Sequence, residues 1–356
     1  MPTVTIRDIA QMAGVSVGTV SRVLNKADNI DPEIYARTMD MVRKCKYKPG
    51  KRGRRPVNVA GPVSTRHIAL WSPNMSPSWQ GNEMWSMYIG GLEKACSSRG
   101  FDLVVKMSDS NHDFIQEAMY SGSYAGILIK MSSKLDEIPA MGRLFEKIPA
   151  VGFGLNLPHY SIPQVCLDNH AAGQLAVTSL LKRGHRRICF FNLDPSHRML
   201  ISRSHGYMEI MKERGLFRPE YLYEHQNKKR EYPIEPDETI PDCSEAIKYF
   251  KSLKEAPTAV ILANDWSALG FSKACSEAGI KVPDELSLMS IDDIGSLCKI
   301  TTPSLSSVAM PFAELTEYAG NMLIDSIESP GIYFARHPSA HYLPGKFIER
   351  ESTKSV

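Results

Sequence analysis

The chain of 356 residues reads as α/β: a small N-terminal helix-turn-helix unit followed by two lobes of doubly wound parallel sheet. Three observations predict this. Apolar residues recur at helical spacing in two short stretches before residue 25, with Gly14-Val15-Ser16 between them. Beyond residue 67, short apolar runs alternate with helix-length segments, the rhythm of βαβ units. That rhythm restarts at Arg187, so the body has two lobes and a cleft between them, where the C-terminal ends of strands gather ligands.

Ile6, Ile9, Ala10 and Ala13 stand at i, i+3, i+4 and i+7 and make one buried face of a first helix. Gly14 takes the left-handed conformation that ends it, and Val15 fills the corner. Ser16 is the N-cap of a second helix, whose Val20, Val23 and Leu24 face the same core. Asp31-Pro32-Glu33 is an N-cap with proline at the first helical position. It opens a third helix to about Lys44, from which Ile34, Thr38, Met41 and Val42 close the core. The second helix leaves Val17, Gly18, Thr19, Ser21, Arg22 and Asn25 exposed, all short, polar or basic. That surface suits a major groove, against phosphates and base edges.

In the first lobe, strands are expected at 68–71, 103–105, 126–129 and 150–153. Helices are expected from Gly81 to Arg99, at 112–120, and from His170 to Arg183. The second lobe has strands at 187–191, 259–262 and 286–291, and helices near 203–214, 243–254, 266–278 and 311–327. Residues 217–242 are polar and proline-rich and read as a surface insertion. Glycine and proline cluster in Gly50-Lys51-Arg52-Gly53-Arg54-Arg55-Pro56 and Gly61-Pro62, which marks a linker. The expected domains are therefore 1–49, a linker at 50–66, and a body at 67–356.

Residues 1–60 hold twelve Lys and Arg against five Asp and Glu, a local +7 in a chain of +3. Basic excess confined to one end is the footprint of phosphate binding, not of a generally basic surface. Seven cysteines are scattered without a Cys-x-x-Cys pair, which argues for reduced thiols and against a zinc site or disulfide framework. No apolar run approaches the ~18 residues that span a bilayer. Arg7 and Asp8 interrupt the place where a signal peptide would be apolar, so a cytoplasmic protein without a membrane partner is expected. No P-loop, His-Glu-x-x-His or glycine-rich dinucleotide fingerprint occurs, and neither catalysis, metal nor cofactor is expected. His170 and His185 read as capping or core histidines.

Thr5 to Tyr47, through Gly14-Val15-Ser16, Thr19-Val20-Ser21-Arg22-Val23-Leu24-Asn25 and the closing Tyr47-Lys48-Pro49, resembles the DNA-binding headpiece of the lactose-repressor/galactose-repressor (LacI/GalR) family of bacterial transcription regulators. The body follows the same family order. Asp168-Asn169, Gly184-His185-Arg186, Arg203-Ser204-His205-Gly206-Tyr207, Asn264-Asp265, Ser290-Ile291-Asp292-Asp293 and Pro303-Ser304-Leu305 fall in sequence. The resemblance implies a periplasmic-binding-protein-like core that binds a small effector and forms a homodimer. Such a dimer would bind a pseudo-palindromic double-stranded operator.

By the same match, Thr5, Ser16, Val17, Gly18, Thr19, Ser21, Arg22, Asn25 and Tyr47 contact DNA, and Trp85, Arg203, Asn264 and Asp292 contact the effector. Trp71, Trp79 and Trp266 lie near the expected cleft edges, and Asp265 is expected to cap the helix it precedes. Two departures stand out. Gly154 falls where some sugar-responsive relatives carry an Asp. At the linker, relatives form a short helix that presses a leucine into the minor groove, but here Gly53 and Pro56 disfavour one. Lys51 to Pro56 loosely resembles an AT-hook, which would put Arg52, Arg54 and Pro56 in a narrow minor groove. The expected function is a transcription regulator, a repressor, switched by a sugar. Alternatives are a nucleobase effector, a solute-binding protein, and an enzyme carrying a DNA-binding headpiece.

Overall fold

The computed structural model describes residues 6–24, 30–45, 65–73, 82–108, 111–131, 138, 140–195, 197–224, 240–329 and 339–356, less the side chains of residues 6, 7, 21, 32, 108 and 111. The chain divides into two compact units, residues 1–62 and 63–356. In the first, α1 (Ile6–Ala13), α2 (Val17–Leu24) and α3 (Pro32–Lys44) enclose a core of Ile9, Ala10, Val20 and Val42, with Ala13, Val23 and Thr38 also buried. Gly14 has φ +64°, and the Val15 amide donates to Ala10 O at 3.0 Å, which ends α1 as a left-handed turn. Asp31 Oδ1 accepts from the Glu33 and Ile34 amides at 2.8 and 3.2 Å, so the expected cap of α3 forms.

The second unit contains two parallel sheets. The first is ordered β2 (Asp102–Ser108), β1 (His67–Pro73), β3 (Gly126–Met131), β4 (Ala150–Gly154), β5 (Gln164–Leu167) and β11 (Ala340–Leu343). It is flanked by α4 (Glu83–Ser98), α5 (Asn111–Tyr120) and α6 (Met141–Phe145). The second is ordered β7 (Leu222–Glu224), β6 (Ile188–Asn192), β8 (Ala259–Leu262), β9 (Ser287–Asp292), β10 (Ser306–Ala309) and β12 (Lys346–Ile348), with only β12 antiparallel. Its helices include α7 (Asn169–Lys182), α8 (Arg198–Glu213), α9 (Ser244–Ser252), α10 (Asp265–Glu277) and α11 (Leu297–Ile300). Strands such as Ala259–Leu262 are wholly buried, as parallel strands covered on both faces must be. The chain passes between the sheets from β5 to α7, from β10 to α12 (Phe312–Glu328), and from β11 to β12.

Each passage delivers a helix or strand to a lobe begun elsewhere in the chain. Helix α12, arriving from the second sheet, packs on α4 of the first; its Thr316 hydroxyl donates to Tyr88 O at 2.8 Å. Helix α7, arriving from the first, packs on α8 of the second. Both contacts are backbone-close. A Cβ on Gly173 would overlap the Arg203 carbonyl, and one on Gly206 would overlap the His170 carbonyl.

The expected elements differ from the observed ones in three ways. Helix α8 starts at Arg198, five residues before the expected 203; its first turn, Arg198-Met199-Leu200-Ile201, is mostly apolar and buries Leu200, so the helix extends back over it. Strands β5, β10, β11 and β12 were not expected, because they are short and carry polar residues that tertiary bonds satisfy. Ser306, for example, is buried with its amide donating to Ser352 Oγ at 2.8 Å. The segment at 217–242 is not wholly an insertion. Tyr221 is buried, its hydroxyl donating to Glu255 O at 2.9 Å, and β7 pairs in register with β6; residues 225–239 lie outside the described residues.

The helix contact yields a stability prediction. Gly206→Ala should destabilise by about 1–3 kcal/mol or more through overpacking against backbone, read as a lower urea midpoint. Gly90, in the same kind of helix but with nothing within 4 Å of a built Cβ, is the control. Gly90→Ala should be neutral or stabilise by roughly 0.5–1 kcal/mol. Equal effects at both positions would discount the close α7–α8 approach.

Candidate nucleic-acid interface and effector cleft

In the headpiece, Ser16 Oγ accepts from the Thr19 amide at 3.1 Å and lies 2.9 Å from Thr19 Oγ1, so Ser16 caps α2. Val17, Gly18 and Arg22 are exposed, but Thr19 is half-buried and its hydroxyl is engaged by Ser16. That corrects the expectation that Thr19 lies free on the surface: a cap draws the third residue of the helix back to itself. Residues 14 to 18 also spell Gly-x-Ser-x-Gly, the spacing of a hydrolase nucleophile elbow. Here the serine sits between two helices and caps one of them, so the strand-to-helix context of an elbow is missing. Thr5, Asn25, Tyr47, Arg52, Arg54 and Pro56 lie outside the described residues, as does the side chain of Ser21.

In the body, strand order reverses between β1 and β3 and between β6 and β8, the arrangement that opens a crevice at the C-terminal strand ends. Lys130 is the last residue but one of β3 and Gly154 closes β4 in the first lobe; Asn192 and Asp292 close β6 and β9 of the second, and Asn264 follows β8. Arg203, only 3% exposed, ties these ends together. Its Nε donates to Asn169 Oδ1 at 2.9 Å, Nη1 to Ala263 O at 2.6 Å, and Nη2 to Asp292 Oδ1 at 2.5 Å. Among the described residues nothing donates to Asp292 Oδ2. Burial pushes the Asp292 carboxyl up, and the bonded Arg203 opposes that push. Asp292 and Asp293 hold φ of +129° and +55°, strained for non-glycine residues, and Arg350 grips Asp293 through both carboxylate oxygens at 2.6 and 3.1 Å.

The lobes also meet at the rim, where Glu83 on α4 accepts from the Ser296 amide at 2.8 Å and its hydroxyl at 3.2 Å. Tyr88, one turn further on, is buried against Phe153 and Phe312 at 5.1 and 5.5 Å between ring centroids. Burial raises its hydroxyl pKa, with Asp292 adding to the rise and Arg203 opposing it.

Of the expected effector contacts, Arg203 and Asp292 are brought together and Asn264 stands beside them. Asn264 takes the capping role expected of Asp265, and Asp265 is buried instead. Asn264 Oδ1 accepts from the Ser267 amide at 2.8 Å and caps α10, because the helix already begins at Asp265. Asp265 is 1% exposed and accepts from the Ser290 hydroxyl, from Ser307 Oγ at 3.2 Å and from the Ile294 amide at 2.6 Å. Trp85 is fully buried, edge-on to Tyr88 at 5.5 Å, and its indole N–H has no acceptor among the described residues. Trp71 is core, 4.6 Å from Phe114, Trp266 is half-buried, and Trp79 lies outside the described residues. His185 is a core histidine as expected, between Thr258 Oγ1 at 2.8 Å and Lys354 O at 2.9 Å. His170 sits 2.9 Å from Glu209 on the α7–α8 surface. Sequence reasoning missed Asn169 and Lys130. The legible signal for Lys130 was a lone charge closing the apolar run Gly126-Ile127-Leu128-Ile129.

Burial, reinforced by Asp292, pushes the Asp265 carboxyl from 3.8 up to about 7, against its hydrogen bonds. A folded pKa above the unfolded one gives stability that is complete below about pH 4 and is lost as the pH rises through about 7. Asp265→Asn removes this titration. Thermal unfolding across that window should therefore fall less steeply in the variant than in the parent; parallel curves would discount the assignment.

Among the described residues, no cluster of three or more His, Cys, Asp or Glu is placed to hold a metal, and no helix is long and apolar enough to cross a membrane. Comparison with known proteins agrees with this architecture. Residues 5–50 match the bacterial regulatory proteins of the lacI family, and residues 177–353 match the periplasmic binding protein-like domain. The HTH-type transcriptional repressor PurR of Serratia proteamaculans is 28% identical over 332 residues, 91% of either chain. The cellobiose complex of the transcriptional regulator CelR superposes with a TM-score of 0.66 at 22% identity, covering 98% of this chain and 99% of that one. The Lac repressor dimer bound to operator and the anti-inducer ONPF gives 0.63 at 19% identity, covering 99% and 100%. With its capped helix-turn-helix and its two-sheet effector domain, this chain belongs to the LacI family of bacterial DNA-binding transcription regulators.

Proposed function

We propose that this protein is a cytoplasmic homodimeric repressor whose affinity for a pseudo-palindromic operator is switched by a sugar bound between its lobes. The observation that carries the reading is the Arg203 brace. One guanidinium joins the start of α7, the end of β8 and the end of β9, so a ligand that contacts Asp292 acts on the passage between the lobes. Asp292 Oδ2 is an acceptor suited to a sugar hydroxyl. CelR, a structural neighbour, holds cellobiose, and PurR and the Lac repressor are repressors by name. An effector of this kind works only through its different affinities for two lobe arrangements.

On the DNA side, α2 supplies the reading surface. Arg22 offers a bidentate fork to guanine, Val17 an apolar contact for a thymine methyl, and Gly18 reads nothing. On this reading, Arg52, Arg54 and Pro56 of the linker enter the minor groove at the operator centre, since Gly53 and Pro56 disfavour a helix there.

Gel retardation on a selected operator tests the first part. Arg22→Ala should cost about 1–3 kcal/mol on the specific duplex and relax one base position. Equal loss on random duplex would make Arg22 a phosphate contact. Replacing the central A·T steps by G·C should weaken the parent protein; indifference to that change would leave the linker a tether.

Asp292→Asn tests the second part. The ratio of operator affinities with and without effector should collapse towards one. A ratio equal to the parent's would place the effector site elsewhere in the body.

A further inference from the structure

The cleft is unevenly charged. On the second-lobe side Arg203 and Asp292 neutralise one another at 2.5 Å. On the first-lobe side the Lys130 ammonium has no carboxylate within ion-pair distance among the described residues. It lies against Gly154, where a built Cβ would overlap it, and 5.7 and 5.6 Å from the ring centroids of Tyr88 and Phe153. Lys130 is half-buried, and those rings offer only weak cation–π attraction in place of the hydration it gives up.

The neighbours that titrate do not balance it. Burial lowers the Lys130 pKa to about 8, with only Cys166 opposing the fall, so the amine is still mostly charged at neutral pH. The Cys166 thiol is pushed up to about 11 by burial and stays neutral. The His197 imidazole is lowered to about 4, first by burial and further by Lys130 and Arg203, with Asp194 opposing that fall. Tyr88 is raised and neutral. Other donors are short of acceptors as well. The buried Trp85 Nε1 and Asn192 Nδ2 have none among the described residues. Nothing in the packing of β3 calls for an ammonium here, since a Met would fill the same space against Tyr88 and Phe153. The missing partner is an acceptor that comes with the ligand.

We infer that the effector is anionic: a small polyol bearing a carboxylate or a phosphate, whose charged oxygens are held by Lys130 while Asp292 accepts from its hydroxyls. Gly154 gives that charged group its approach, because no side chain stands between the ammonium and the cleft at this strand end. The inference rests on the reading of the cleft as the effector site and narrows that ligand from sugars in general to sugar acids and sugar phosphates.

Thermal unfolding of the full chain with two matched series tests it: glucose, glucuronate and glucose 6-phosphate, and galactose, galacturonate and galactose 6-phosphate. At least one acid or ester should raise Tm where its neutral parent does not, because a bound ligand stabilises by mass action. Which member does so tells carboxylate from phosphate. Lys130→Met should weaken that ligand roughly ten- to a hundredfold, the worth of one charge-assisted hydrogen bond. The same substitution should leave Tm without ligand unchanged or raise it, since it removes a half-buried charge that has no carboxylate partner among the described residues; a merely structural lysine would lower it. A neutral parent that stabilises as well as its acid and ester overturns the inference, as does full affinity in Lys130→Met or no shift from any acid or ester at millimolar concentration. Asp292→Asn separates the two levels. If a neutral sugar binds and Asp292→Asn abolishes it, the cleft reading stands and the anion falls. If Asp292→Asn leaves every ligand's affinity unchanged, the cleft reading falls and the inference with it.

Discussion

The three hydrogen bonds of the Arg203 guanidinium are the constraint on which the body of this protein depends. Arginine is always charged, so burying it requires every donor direction to find an acceptor. Here the acceptors come from three places far apart in sequence: Asn169 at the head of α7, the Ala263 carbonyl after β8, and the Asp292 carboxylate at the end of β9. The arrangement is possible only because α7 and α8 approach through Gly173 and Gly206, which lets helix backbones touch where side chains would hold them apart. Close packing thus sets the geometry, and electrostatics holds it.

The brace also ties the end of β9 to the start of the passage between the lobes. Asp292 sits at a positive φ and is followed by Asp293, also at a positive φ and clamped by Arg350. Strain is held in place at the strand end by ion pairs on either side. Since Asn169 is the first residue after the passage from β5, a shift of Arg203 is felt at once by the segment that joins the lobes. Glu83 and Ser296 add a second, exposed link at the rim, where water competes with the bonds and makes them easier to exchange.

Polar groups are unevenly satisfied across the molecule. Asp265 is deeply buried yet receives hydrogen bonds from Ser290, Ser307 and the Ile294 amide, so it stiffens the β9–β10 edge. Trp85 Nε1 and Asn192 Nδ2 are buried with no acceptor among the described residues, and the half-buried Lys130 lies against the Tyr88 ring. Unmet buried donors cost stability unless a ligand supplies acceptors.

The sequence by itself determined the alternation of strands and helices, the two lobes and the capped headpiece helices. These depend on local causes: apolar spacing, a left-handed glycine at Gly14, and Asp31-Pro32 at a helix start. It also pointed to Arg203 and Asp292 through their family positions, though not to the bond between them. Tertiary structure alone decided which of Asn264 and Asp265 caps α10, because a one-residue difference in helix start exchanges a surface cap for a buried hub. It alone gave β10 its place, since Ser306 and Ser307 become strand residues only when Ser352 and Asp265 satisfy them. And it alone isolated Lys130, whose meaning lies in what does not stand near it. A sequence lists charges, but whether a charge is paired is settled by residues hundreds of positions away, brought close only by the fold.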